Sequence, residues 1–224
     1  MSDPFVSRLR ALDVCDLSDA LDALGMTPSV TGLVATSGAR PIAGRAVTVQ
    51  LAAGPPPSQA TRHLCTAAVE QAGPDDVIVV EQRTGIDAAG WGGILSRAAR
   101  QRRIAGSIVE GPTRDVEEAM RLDYPVYARS STARTARGRV HEASFQTAIS
   151  VGDALVSPGD YVAADRSGCV VVPAARIAEV FARAEDICAK GNAMATAVDN
   201  DVPVSRVMGG VYETMLEPGN RNRK

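Results

Sequence analysis

The stretch Trp91–Asp115, WGGILSRAARQRRIAGSIVEGPTRD, decides how this chain is read. Gly92 and Gly93 open a helix that carries Arg97, Arg100, Arg102 and Arg103. Ile104 to Val109 follows as an apolar strand. Gly111-Pro112 then ends the strand, with Thr113 as an N-cap and Arg114 and Asp115 at the start of the next helix. A helix that begins on glycine leaves unpaired N–H groups and the positive end of its dipole open to a carboxylate or phosphate. Arg114 adds a planar fork matched to a carboxylate, and Asp115 adds a hard oxygen suited to Mg2+ or Mn2+.

Together these groups predict a pocket for a small 2-keto acid. Its carboxylate would rest on Arg114 and on the backbone N–H groups of Gly92, Gly93, Ile94 and Leu95. Its keto oxygen would face a metal at Asp115, an arrangement that stabilises an enolate. Arg114 and Asp115 are the candidate catalytic residues, and Asp115 is the candidate metal ligand. A plainer reading of Asp115 also exists, because with Glu117 and Glu118 it fills a first helical turn, where acids complement the dipole.

Working outward, Leu17, Ala20, Leu21 and Leu24 have helical spacing between Asp16 as N-cap and Gly25 as stop. Ala46 to Val49 reads as a strand broken by GPPPSQ, and Ser58 as the cap of a helix through Glu70. Val77 to Val80 is a buried strand, and the loop from Gln82 to Gly90 opens its carboxyl end toward Trp91. Trp91 itself reads as core or subunit contact ahead of pocket wall. Pro125 to Ala128 is a further short strand. The polar, arginine-bearing segment 130–138 is a loop, open to use as a lid or an oligomer contact. His141 reads as a neutral surface histidine. From Val151 onward short strands alternate with turns at Gly152-Asp153, Pro158-Gly159-Asp160 and Arg166-Ser167-Gly168. Pro173 then begins a long helix with Ile177, Val180, Phe181, Ala184 and Ile187 on one stripe. Strand and helix alternate, so the class is α/β.

WGGILSRAARQRRIAGSIVEGPTRDVEEA resembles the signature of the RraA-like family. Its members include 4-hydroxy-4-methyl-2-oxoglutarate / 4-carboxy-4-hydroxy-2-oxoadipate aldolases, oxaloacetate decarboxylases and ribonuclease E activity regulators. LSDALDALG, GRAVTVQ, YPVYAR and SPGDYVAADRSGCVVVP extend the likeness over most of the chain. The resemblance implies a layered domain of swivelling β/β/α type spanning 1–224, with N- and C-terminal helices. It implies a homotrimer or homohexamer with sites at subunit boundaries. It also implies a divalent-metal-dependent lyase that releases pyruvate, by retro-aldol cleavage or by decarboxylating oxaloacetate. The family pattern places an acid where this chain has Gly93, and a glutamate on the last helix where this chain has AKGNAMATAV. Two acidic contributors are therefore absent, and Gly93→Asp is expected to improve metal use. A binding or regulatory protein, or a relative adapted to another keto-acid or enol reaction, is the alternative.

Composition narrows the field further. A chain of 224 residues, 45% apolar, buries one sizeable core. Net charge of -2 gives no general attraction to nucleic acid or anionic membranes, and no aromatic residues interleave the arginine cluster to stack on bases. Cys15, Cys65, Cys169 and Cys188 are isolated, and with two histidines they make no zinc cage; they read as small buried hydrophobes of a reducing cytoplasm. No secretion signal or membrane-spanning run is present in the sequence, so a cytoplasmic, soluble protein is expected. The tail from about residue 217 is expected to be disordered.

Overall fold

The computed structural model describes residues 3–26, 29–38, 40–58 and 62–213. Two helices, α1 (Pro4–Leu9) and α2 (Val14–Ala23), precede the short strands β1 (Ser29–Val30) and β2 (Val34–Ser37). The central strand β3 (Ile42–Ala53) leads through α3 (Thr66–Gln71), β4 (Asp76–Glu81), α4 (Gly93–Gln101), β5 (Gly106–Thr113), α5 (Val116–Arg121) and β6 (Val126–Ser131). Five strands follow, β8 and β9 forming a hairpin: β7 (Val140–Phe145), β8 (Ile149–Val151), β9 (Ala154–Val156), β10 (Tyr161–Asp165) and β11 (Gly168–Val172). The chain closes with a 3-10 turn (Ala174–Arg176), α6 (Ile177–Asp199), α7 (Val204–Val207) and α8 (Gly210–Glu213). The expected tail after 217 lies outside the described residues.

The main sheet runs β1-β11-β10-β3-β4-β5-β6-β2, with β7 added against the second half of β3. Strands β3, β4, β5 and β6 are parallel, and the others join antiparallel. This is a mixed α/β fold, as the alternation of elements predicts. Parallel strands need covered faces. On one side α3, α4 and α5 pack over Val49, Ile78, Val80 and Val109. At the other end α1, α2 and α6 close over Ala43, Tyr161, Val170 and Val172 through Leu17, Leu21, Val180 and Phe181. The β8-β9 hairpin and β1 help cover a third cluster around Val77, Val79 and Ile108.

Several boundaries differ from those the sequence predicts, each for a tertiary reason. Helix α2 starts at Val14 rather than after Asp16, because Asp165, far along the chain, accepts the Val14 N–H at 3.2 Å. Ser58 lies in a turn and caps no helix. Helix α3 begins only after Cys65, a left-handed residue (φ 62°) whose N–H is taken by Glu142 at 2.7 Å. Gly111-Pro112 does not end β5, which continues to Thr113. The missing side chain at Gly111 lets the Gln82 carbonyl lie 2.7 Å from where a Cβ would sit. A bulge between Val109 and Pro112 then re-registers the strand on β6, with Pro112 opposite Ser130. The segment expected as one loop from Ser130 keeps its first two residues in β6, and the rest is pinned by Thr132 N–H on the Thr113 carbonyl and Ala89 N–H on the Arg134 carbonyl. His141 is half-buried in β7 with Nδ1 3.2 Å from the Gly54 carbonyl, not a free surface side chain.

Of the cysteines, Cys65 and Cys169 are buried as expected, whereas Cys15 is exposed and Cys188 intermediate. Burial pushes the Cys169 thiol up to about 12 and the Cys65 thiol higher than its ordinary value. Neither is poised as a nucleophile.

Candidate functional site

The extension of β5 sets the site. Thr113 pairs with Trp91 in an isolated parallel bridge, and the Arg114 N–H reaches the Trp91 carbonyl at 3.0 Å. Two segments far apart in sequence are thereby stitched side by side where β4 and β5 end. Trp91 is core: it is buried, donates from Nε1 to Ser96 Oγ at 2.9 Å and stacks on Tyr124 at 6.2 Å between centroids. Its indole anchors the helix start and leaves the opening to Gly92, Gly93, Ile94 and Leu95.

The helix begins at Gly93 with Gly92 as its N-cap, which has no side chain to satisfy the first N–H groups. Asp115 does so from the neighbouring segment. Its Oδ2 accepts the Gly93 N–H at 3.0 Å, and its Oδ1 accepts from Arg114 Nε at 3.2 Å. Asp115 is itself the left-handed N-cap residue of α5 (φ 56°, ψ 38°) and makes no side-chain cap bond to its own helix. Such a backbone costs a non-glycine residue roughly 1–2 kcal/mol, less for Asp, whose side chain bonds locally. The structure therefore overturns Thr113 as N-cap, since Thr113 belongs to β5. It also overturns the reading of Asp115 as an acid serving the dipole of its own helix. The carboxylate is aimed at the glycine entrance.

Arg114 and Asp115 thus meet at the start of α4. Arg114 spends only Nε on Asp115, so its two Nη groups remain for an external carboxylate. The cradle is narrower than the four expected N–H groups, because the Gly93 N–H is already committed to Asp115. Ile94 and Leu95 keep first-turn N–H groups with no acceptor among the described residues. The Ile94 side chain is 76% exposed, an apolar wall at the mouth.

Gly93 has a physical reason. A Cβ built there would lie 2.1 Å from Glu118 Oε2 and 3.1 Å from the Asp115 Cβ. The space that a side chain at 93 would fill is occupied by the Glu118 carboxylate. Arg97 holds that carboxylate by donating from Nε (3.1 Å) and Nη2 (2.8 Å) to Oε1, which leaves Oε2 turned to the glycine. Glu118 was legible only as a first-turn acid. The spacing from Asp115 to Glu118, three residues on one helix, is the signal that could have placed both on one face. The remaining cluster arginines face outward: Arg100 caps the Leu122 carbonyl and Arg102 the Ala72 carbonyl.

Among the described residues no group of three or more His, Cys, Asp or Glu side chains gathers as a metal cage. The donors present are two carboxylates flanking Gly93, with no nitrogen or sulfur ligand. Such a set fits a hard cation that keeps most of its water and takes its remaining ligands from substrate, the usual habit of Mg2+. Asp115, with Glu118 beside it, would hold the ion.

The fold and this arrangement define the class: a mixed α/β domain with an arginine and an acid pair at the carboxyl ends of its parallel strands. The chain belongs to the RraA-like family, described as Aldolase/RraA, whose profile matches residues 14–171. A protein of Halalkalibacterium halodurans, named provisionally as a 4-hydroxy-4-methyl-2-oxoglutarate aldolase, is 27% identical over 214 residues, covering 96% of each chain. DlpA of Legionella pneumophila is 31% identical over 183 residues; these are 80% of this chain but only 29% of that protein, so the chain spans less than a third of DlpA. Among solved structures, a protein of Pseudomonas syringae pv. tomato superposes with a TM-score of 0.81 at 26% identity, over 92% of this chain and 96% of that one. Streptomyces coelicolor RraAS2, described as an unusual member of the RNase ES inhibitor RraA protein family, gives 0.72 at 27% identity over 83% and 92%. No helix among the described residues is long and apolar enough to cross a membrane.

Proposed function

We propose that the chain is a metal-dependent carbon–carbon lyase acting on a small 2-keto acid, releasing pyruvate by retro-aldol cleavage or by oxaloacetate decarboxylation. The observation that carries the reading is the meeting of Arg114 and Asp115 at the start of α4, where the Ile94 and Leu95 N–H groups have no acceptor among the described residues. The aldolase name of the Halalkalibacterium relative supports the same chemistry.

Arg114 binds the substrate carboxylate through its Nη groups, and the Ile94 and Leu95 N–H groups add donors for the same anion. This fixes the keto group toward Asp115. When bound there, Mg2+ or Mn2+ supplies Lewis-acid polarisation of the keto oxygen. Asp115, tied on both oxygens to Gly93 and Arg114, keeps its orientation without reorganising during the reaction. Glu118, braced by Arg97, places a second carboxylate at the same point and takes over part of what an acid at 93 would do. Because His63 and His141 lie on other segments, proton transfer falls to water ordered by these carboxylates.

Assembly as a homotrimer or homohexamer and a cytoplasmic site of action belong to this reading. Val198, Val202, Val204 and Met208, exposed along the end of α6 and beyond, supply an apolar face for assembly.

Calorimetric titration with oxalate, a mimic of the pyruvate enolate, tests it. Saturable binding that strengthens with Mn2+ and disappears in Asp115→Ala is expected. Binding indifferent to Mn2+ favours a family scaffold used for recognition without chemistry.

A further inference from the structure

Both histidines of the chain lie outside the keto-acid site, and both line one cavity of about 150 Å3. Around them stand Arg62, Arg137 and Glu142, with Pro56, Pro57, Leu64 and Val140 forming drier walls. The charge in this cavity is unbalanced. Glu142, the acid of the set, accepts the Cys65 N–H at 2.7 Å. Neither Arg62 nor Arg137 has a side-chain hydrogen bond or an ion pair among the described residues. Arg97, Arg114, Arg129 and Arg134 each hold a carboxylate, whereas these two line one cavity without one. His141 is spent on the Gly54 carbonyl, whereas the ring of His63 carries no hydrogen bond among the described residues.

Two guanidinium groups and an imidazole, without partners among the described residues and gathered around one cavity, make an oxyanion receptor. We propose that this cavity is a second anion site, taking a small multivalent oxyanion, a di- or tricarboxylate or a phosphate, between Arg62 and Arg137 with His63 as a third donor. His63 is suited to couple binding to a proton. Burial, and then the charge of Arg137, hold its imidazole below the ordinary value, with Glu142 opposing. An arriving anion reverses the Arg137 contribution, so His63 takes up a proton from solvent and becomes a donor at both nitrogens.

The site is tied to the rest of the molecule by the segment 132–139. At one end Thr132 N–H bonds to the carbonyl of Thr113, the residue before Arg114; at the other, Arg139 accepts from Gly54 N–H at 2.7 Å. Arg137 stands near the second end. Occupation of the cavity therefore orders the segment that abuts the keto-acid site. The proposal does not depend on the chemistry assigned to that site.

The test follows the His63 and His141 ring protons by NMR while inorganic phosphate or malonate is added near neutral pH. A saturable shift of His63 is expected, with its titration midpoint raised by the anion. Arg137→Gln should raise the midpoint of the free protein and weaken the anion effect about tenfold or more, and Arg62→Gln with Arg137→Gln should abolish it. Arg114→Ala should leave it unchanged. A response to malonate alone identifies a carboxylate ligand, and a response to both anions a general oxyanion site; either supports the proposal. It is overturned if neither anion moves His63 saturably, if the double variant responds like the parent, or if Arg114→Ala removes the response. Both arginines are exposed, and an unchanged melting temperature shows that the variants stay folded.

Discussion

Two Arg–Asp pairs of the same length do different work in this molecule. Arg45 Nη1 lies 3.2 Å from Asp3 Oδ2, and Arg114 Nε lies 3.2 Å from Asp115 Oδ1. Around the first, the acceptors are filled. Asp3 also accepts from Phe5 N–H (2.9 Å), Val6 N–H (3.4 Å) and Tyr161 OH (2.9 Å), and the guanidinium lies over the Tyr161 ring. That pair fastens α1 to β3 and β10. Around the second, the Nη groups of Arg114 and the neighbouring N–H groups of Ile94 and Leu95 have no partner among the described residues, and Asp115 sits in a left-handed backbone conformation. Distance alone does not separate a structural ion pair from a binding one. The unused donors around it do.

The largest effect that would break or sharpen this contrast is on binding. Arg114→Ala should weaken oxalate by about 1.5–3 kcal/mol, the usual worth of hydrogen bonds to a charged group. Its melting temperature should move little, since a half-exposed pair contributes about 0–1 kcal/mol. Calorimetry and thermal melting on one preparation check both halves. Equal losses in both would make Arg114 structural.

Next comes Gly93→Asp. The sequence alone predicts a gain in metal use, but the structure predicts a loss of stability of about 1–3 kcal/mol, because the new side chain meets the Glu118 carboxylate. Combining it with Glu118→Ala should restore both folding and Mn2+ binding. A single variant as stable as the parent would show that Glu118 does not occupy that space.

The smallest effect is on the structural pair. Asp3→Ala removes the α1 cap and should cost about 0.5–2 kcal/mol in urea unfolding, without changing oxalate affinity. Asp3 also carries an acid limb. Burial alone would raise its carboxyl, but hydrogen bonds from Phe5, Tyr161, Arg45 and Val6 outweigh that and hold it below 3.8. Its contribution is therefore present above pH 3.8 and lost as pH falls through the lower folded value. In Asp3→Ala that part of the acid unfolding limb should vanish.

Much of this was legible in the sequence. Period and punctuation placed β4, the core of β5 and the long helix α6, and the Trp91–Asp115 stretch pointed to Arg114 and Asp115 as neighbours of a glycine entrance. What stayed hidden was satisfaction at a distance. Val14 is capped by Asp165 and Gly93 by Asp115, so neither helix start carries its own side-chain cap. Local rules accordingly misplaced the caps at Asp16 and Thr113. Glu118 escaped notice because a first-turn acid looks the same whether it serves its own dipole or fills the gap above a glycine on another helix. The cationic cavity was equally invisible, since Arg62, His63, Arg137 and His141 come together only when β7 pairs with the end of β3.

The most direct trial of the central claim is pyruvate release from oxaloacetate with Mg2+ or Mn2+, measured over the rate the free metal gives alone. The account predicts release by the parent chain that stops on chelation and in Asp115→Ala, with thermal melting confirming a folded variant. Release that continues undiminished in both Asp115→Ala and Arg114→Ala would contradict it.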